Sequence, residues 1–181
     1  MFNYKGVKST LPFIPNQIVD LEKIIDFMLD KYGISNFNCE IVANKKNGRP
    51  SYLFGKIYLN PFVNDGFGGR KLDTQLSYWQ KYNFQFSHEL THHIQEIQKR
   101  GLPIHIDTRT MQQLPFPDKS FQETEATANS IWVMEQVFPE YSDYNARIRE
   151  DEKYYDYDEA FRLVDTAELE TIWKQHKPNT K

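Results

Sequence analysis

His88, Glu89 and His92 stand in the order His-Glu-x-x-His within "NFQFSHELTHHIQEIQ", residues 83–98. Two histidines four apart lie one above the other on one side of an α-helix, so both imidazoles can reach a single metal ion at about 2.1 Å. The glutamate after the first histidine is rotated about 100° from it, which sets its carboxylate beside an open coordination position instead of on the metal. A metal held this way lowers the pKa of a water toward about 7, and Glu89 is placed to take the proton as that water attacks a carbonyl. The chemistry within reach is amide hydrolysis.

With 5 His in 181 residues, chance supplies this pattern about 0.01 times per chain of such composition. Coincidence is therefore a poor explanation, although two histidines on a solvated helix face would spell the same letters. Leu76, Trp79, Phe86, Leu90, Ile94 and Ile97 share one helical stripe, with Asp73 as a cap and Gly101 and Pro103 as stop signals. The motif thus falls on a helix, with His88 and His92 nearly opposite the stripe. His93 borders the stripe and points away from them, which reads as a structural histidine hydrogen-bonded at the core edge.

A catalytic zinc needs a third protein ligand. The pattern with Gly and a third His three and six residues after the second His is absent, since Gln95 and Gln98 occupy those places. Downstream, "SFQETEATANSIWVM" offers Glu123 and Glu125 on a second helix. Glu123 lies in that helix's apolar stripe, where an unpaired carboxylate is costly and a cation would account for it. Ser120 and Glu123 also fit a capping box. Glu125 faces away from Ile131, Met134 and Val137, alongside Trp132. Glu123 is favoured, Glu125 stays open, and the loser is expected to be a surface or capping carboxylate. His105 with Asp107 is a further alternative. Nitrogen and oxygen donors in tetrahedral geometry favour Zn2+ over manganese or iron.

A histidine pair followed about thirty residues later by Glu-x-x-Ala resembles the gluzincin metallopeptidases. The compact form, with "FSHELTHH" as the lead-in, is similar to the ImmA/IrrE group of small intracellular zinc peptidases, the minigluzincins, over roughly residues 16–139. The resemblance implies an α+β, zincin-like fold: a small antiparallel or mixed sheet on an active-site helix, a second glutamate-bearing helix and a helical C-terminal part. It implies a zinc metallopeptidase with His88, His92 and one glutamate as ligands and Glu89 as general base. The implied partner is a protein or peptide substrate, including a regulatory protein. These families usually place Asp or Asn four residues after the ligand glutamate to orient the first histidine. Glu123 is followed there by Thr127 and Glu125 by Asn129, so this criterion alone favours Glu125. The alternative function is a non-catalytic regulatory or partner-binding protein on the same scaffold, with a structural metal.

The elements that must carry these residues are legible in outline. Length and apolar content fit one domain over 1–181, with a catalytic core at 16–139 and a helical extension at 140–181. Residues 1–15 read as an extended arm, and Asn16 as the cap of a helix ending at Gly33. Alternation at 37–43 and a Tyr-, Leu-, Phe- and Ile-rich run at 51–59 read as a hairpin around "NKKNGRP". "NPFVNDGFGGRK" reads as a loop whose glycine-rich part, 64–69, could be a lid or a linker. A proline-bearing loop leads to the second helix from about 120 to 138, and a last helix is expected at 166–176. Oxyanion donors by residue type are His105, Arg109, Tyr141 and Tyr144. Net charge is -3 with pI near 6.0, without the basic patch that nucleic-acid binding requires. The absence of a signal peptide, of a membrane-length apolar stretch and of any cysteine but Cys39 fits a cytoplasmic chain.

Overall fold

The structure, a computed structural model, describes residues 1–44, 50–60, 62–64, 70–72, 76–98 and 119–151. The first nine residues fold into a hairpin where an extended arm was expected. Strands β1 (Phe2–Tyr4) and β2 (Val7–Ser9) pair antiparallel around Lys5 and Gly6, whose φ angles are 44° and 83°. Two successive positive φ values make a type I′ turn, whose twist matches that of the flanking strands. Helix α1 (Pro15–Tyr32) then leads to β3 (Cys39–Ala43), which runs parallel to β2.

The run at 51–59 is two strands. Phe54 and Gly55, at φ 45° and 75°, make a second tight turn between β4 (Ser51–Leu53) and β5 (Lys56–Leu59). β5 pairs parallel with β3, giving the order β1-β2-β3-β5-β4. The expected hairpin between 37–43 and 51–59 is therefore corrected: the hairpin partner of β5 is β4, because the turn falls at Phe54–Gly55. Residues 45–49 of the charged turn lie outside the described residues. Within the segment read as loop, β6 (Phe62–Asn64) and β7 (Arg70–Leu72) form a separate antiparallel pair. The glycine-rich residues 65–69 between them lie outside the described residues.

α1 begins one residue before the expected cap. Pro15 occupies the first turn, where its missing N–H is no loss, and the Ile14 N–H donates to Gln17 Oε1 at 3.0 Å. Gly33 closes the helix in the left-handed region as expected. Leu21, Ile24, Ile25, Met28, Leu29 and Tyr32 form the buried face. Three further helices follow: α2 (Leu76–Ile97), α3 (Lys119–Val137) and, after a 3-10 turn at Pro139–Tyr141, α4 (Ser142–Asp151). The chain is α+β, with a mixed five-stranded sheet and four helices among the described residues. Residues 152–181, including the helix expected at 166–176, lie outside that set.

α2 is the element around which the others gather, touching β4 and β5 on one side and α1 and α3 on others. Trp79, Tyr82, Phe86, Leu90 and Ile94 bury its apolar stripe in a core shared with Ile41, Ile57 and Leu59 of the sheet. Ile97, expected on that stripe, is exposed at the last turn. Asp20 of α1 pins the first half of α2 by accepting from Trp79 Nε1 and Asn83 Nδ2, each at 3.0 Å. No described helix is long and apolar enough to cross a membrane.

Gly6, in the turn between β1 and β2, has no room for a side chain. A Cβ there would stand 1.4 Å from the carbonyl oxygen of Phe37 at a φ of +83°, whereas a Cβ on Gly33 would meet nothing within 4 Å. Gly33→Ala carries only the left-handed strain, about 1 kcal/mol. Gly6→Ala adds a backbone clash and should cost at least about 3 kcal/mol. Chemical denaturation of both variants checks this, and equal losses would contradict it.

Candidate metal centre

α2 carries His88, Glu89 and His92, and α3 carries Glu123 and Glu125. The two helices are in contact and both bury small and hydroxylic residues, among them Ser87 and Thr91 on α2 and Ala126, Thr127, Ala128 and Ser130 on α3. Side chains bridge the two helices. Asn129 Nδ2 donates to Thr91 Oγ1 at 2.7 Å, and Thr91 donates in turn to the Ser87 carbonyl at 2.8 Å.

Against this helix pair, three acceptor atoms converge. His88 Nε2 is 3.2 Å from His92 Nε2 and 3.3 Å from Glu123 Oε2, and His92 Nε2 is 3.6 Å from that same oxygen. Donors held at about 2.1 Å in a tetrahedral array stand about 3.4 Å apart. The spacing therefore matches what one zinc-sized cation requires, and the three residues are a group able to hold a metal ion. The donor chemistry fits as well: lone pairs of two imidazoles and a carboxylate repel one another unless a proton or a cation lies among them.

The electrostatics follow. The rings of His88 and then His92 beside it hold the Glu123 carboxyl well below the usual carboxylate range, outweighing its partial burial. Burial opposes the charged form of His92, but Glu123, Glu89 and Gln95 together raise its pKa above the ordinary value. Glu89 is 5 % exposed. Burial raises its pKa most, with Glu123 adding and His88 and His92 opposing.

The expected wet face is corrected. His92 and Glu89 are buried because α3 covers that side of α2 while the sheet covers the other. The side chains of His88 and Glu123 keep 17 % and 31 % exposure, which leaves the group reachable from one side. Glu125 is placed elsewhere. It is 3 % exposed and accepts from Gln95 Nε2 at 2.9 Å. It is neither a surface nor a capping carboxylate, because α3 is enclosed almost all round between residues 125 and 131, a case that a one-stripe wheel does not describe.

Two further residues touch the histidines. Gln95 Oε1 is 2.9 Å from His92 Nδ1. Thr127 Oγ1 is 3.5 Å from His88 Nδ1, in the place where Asp or Asn was expected. Sequence reasoning noted Gln95 only as a residue that was not glycine. The signal was its spacing, since a residue three after His92 lies on the same helix face. Tyr141 lines a recess of about 370 Å³ with Asp20 and Trp79, and Tyr144 lines another of about 540 Å³ with Gln80 and Arg147. Neither recess includes His88, His92 or Glu123. His105, Asp107 and Arg109 lie outside the described residues.

His93 leaves the site, as its wheel position implied. Its Nδ1 hydrogen-bonds with the Tyr52 hydroxyl at 2.9 Å, and that hydroxyl also donates to Glu96 and accepts from the Gly55 N–H. The other ring nitrogen is buried without a hydrogen bond among the described residues. In comparisons with known protein families, curated proteins and solved structures, the chain matched none.

Burial lowers the pKa of His93 below 6.5, against a smaller opposing effect of Glu96. Below about 6.5 the unfolded chain takes up a proton that the folded chain resists, so stability falls as pH drops from there toward the lower folded value. His93→Gln should flatten that slope relative to the wild type between about pH 7 and about pH 5. Denaturant melts across this range test it, and parallel slopes for the two proteins would contradict the assignment.

Proposed function

We propose that the chain is a zinc-dependent metallopeptidase of zincin-like architecture, hydrolysing peptide bonds with His88, His92 and Glu123 as metal ligands and Glu89 as general base. The observation that carries the reading is the near-tetrahedral spacing of the three donors with Glu89 one residue along the same helix. Bound there, a divalent cation supplies a Lewis acid that polarises a carbonyl and brings the pKa of a water near about 7.

The chain's own residues do the rest. His88 and His92, one turn apart on a packed helix, present their Nε2 atoms in a direction the helix fixes. Glu123 balances the charge from the facing helix. Glu89 is flanked by both histidines and Glu123, and its carboxylate has no hydrogen bond among the described residues, which keeps its lone pairs for a proton. It takes that proton as the scissile carbonyl is attacked and hands it to the leaving amine. Glu89 and His92 are buried while His88 and Glu123 stay partly exposed, and the low local dielectric around the buried pair strengthens these interactions.

The competing reading is a regulatory or partner-binding protein with a structural metal. A structural zinc is closed by four protein ligands, whereas a catalytic one keeps a position open. Among the described residues the converging group has three members. Glu89→Gln separates the readings. The variant should retain stoichiometric zinc by elemental analysis while its cleavage of an unstructured protein substrate falls by about 100-fold or more. Full metal with unchanged cleavage would exclude Glu89 as the base, and no cleavage by the zinc-loaded wild type would favour the structural reading.

A further inference from the structure

We propose that Gln95 and Glu125 are positioning residues for His92, fixing its ring as the Nδ1–H tautomer so that Nε2 offers its lone pair toward Glu123 and His88. The proposal rests on the metal-site reading above, and it concerns residues that bind no metal themselves.

Which groups can donate decides where the ring proton sits. Glu125 is a buried carboxylate on α3, and in its ionised form it only accepts hydrogen bonds. Its contact with the Gln95 side chain at 2.9 Å therefore requires the amide NH2 at that end. This fixes the amide orientation: Gln95 turns its carbonyl oxygen to His92 Nδ1, also at 2.9 Å. An amide oxygen only accepts, so Nδ1 must carry the proton and Nε2 the lone pair. One carboxylate two residues along α3 from Glu123 thus settles the protonation pattern of a ring on α2, through an amide that reaches both.

Histidine ligands commonly hand their second N–H to a carboxylate or carbonyl, which orients the ring and raises its donor strength. Here the carboxylate acts at one remove. The arrangement also accounts for the burial of Glu125, which a packing role alone leaves costly. Among the described residues His88 has Thr127 Oγ1 at 3.5 Å in the corresponding place, a longer contact than the 2.9 Å from Gln95 to His92, so the firmer support belongs to His92.

The test combines two readouts on the full chain. Nitrogen-15 NMR of the His92 ring, with metal removed by chelator at about pH 8, reports the tautomer directly. Competition with a chromophoric chelator reports zinc affinity. In the wild type, Nδ1–H is expected. Gln95→Met, similar in volume but unable to accept, should move the ring toward Nε2–H and weaken zinc about 10- to 100-fold. Glu125→Gln, nearly isosteric, should do the same to a smaller degree because the amide of Gln95 is no longer forced. Exchanging the pair, Gln95→Glu together with Glu125→Gln, should restore both readouts, since a carboxylate then accepts from Nδ1 directly. Nε2–H in the wild type, or unchanged tautomer and affinity in Gln95→Met, would overturn the proposal. Zinc failing to bind the wild type would remove the metal reading alone, because the tautomer is read without metal and still decides the positioning.

Discussion

Three electron-rich atoms facing one another at 3.2 to 3.6 Å are the constraint on which the rest of this structure depends. Unless a proton or a cation lies among them, two imidazole nitrogens and a carboxylate oxygen push apart, and partial burial deepens the cost because the local dielectric is low. The helices α2 and α3 nevertheless hold them together through contacts that do not involve the trio. Asn129 to Thr91 and Gln95 to Glu125 tie the two helices. A fold that invests in bringing like-natured atoms together needs a positive charge among them. A proton on His92 supplies it in part, and a divalent cation supplies it fully.

The position of α2 explains how that trio is kept rigid. The helix is fixed at its start by Asp20, along its length by Phe86, Leu90 and Ile94 in the core, and near its end by the Tyr52–His93 contact with the β4–β5 hairpin. Adjacent histidines therefore do opposite work. His92 faces α3 and the converging donors, while His93 faces the sheet and anchors the helix to it. A rotation of α2 that served one would displace the other.

Much of this was legible in the sequence, and the parts that were not have physical reasons. The helical stripe of Trp79, Phe86, Leu90 and Ile94 located α2, and Gly33 located the end of α1, because local patterns report local structure. The motif spacing placed His88 and His92 on one side, and the cost of an unpaired carboxylate pointed to Glu123. The strand partners were misread because β5 pairs with β3 in parallel, a relation that turn residues do not encode, and because a tight turn at Phe54–Gly55 lay inside a run that looked continuous. The wheel of α3 misassigned Glu125, since a helix enclosed on several sides has no single buried stripe. That Thr127 meets His88 depends on packing across two helices, whereas the contact of Gln95 with His92 lies within one helix and its spacing was readable.

The central claim is that His88, His92 and Glu123 are ligands of one metal ion. Anomalous diffraction from crystals of the zinc-loaded protein, recorded on both sides of the zinc absorption edge, measures this most directly. One edge-dependent peak about 2.1 Å from Nε2 of His88, Nε2 of His92 and a carboxylate oxygen of Glu123 is the expected result. A peak ligated by Glu125 in place of Glu123, or no peak between α2 and α3, would contradict it.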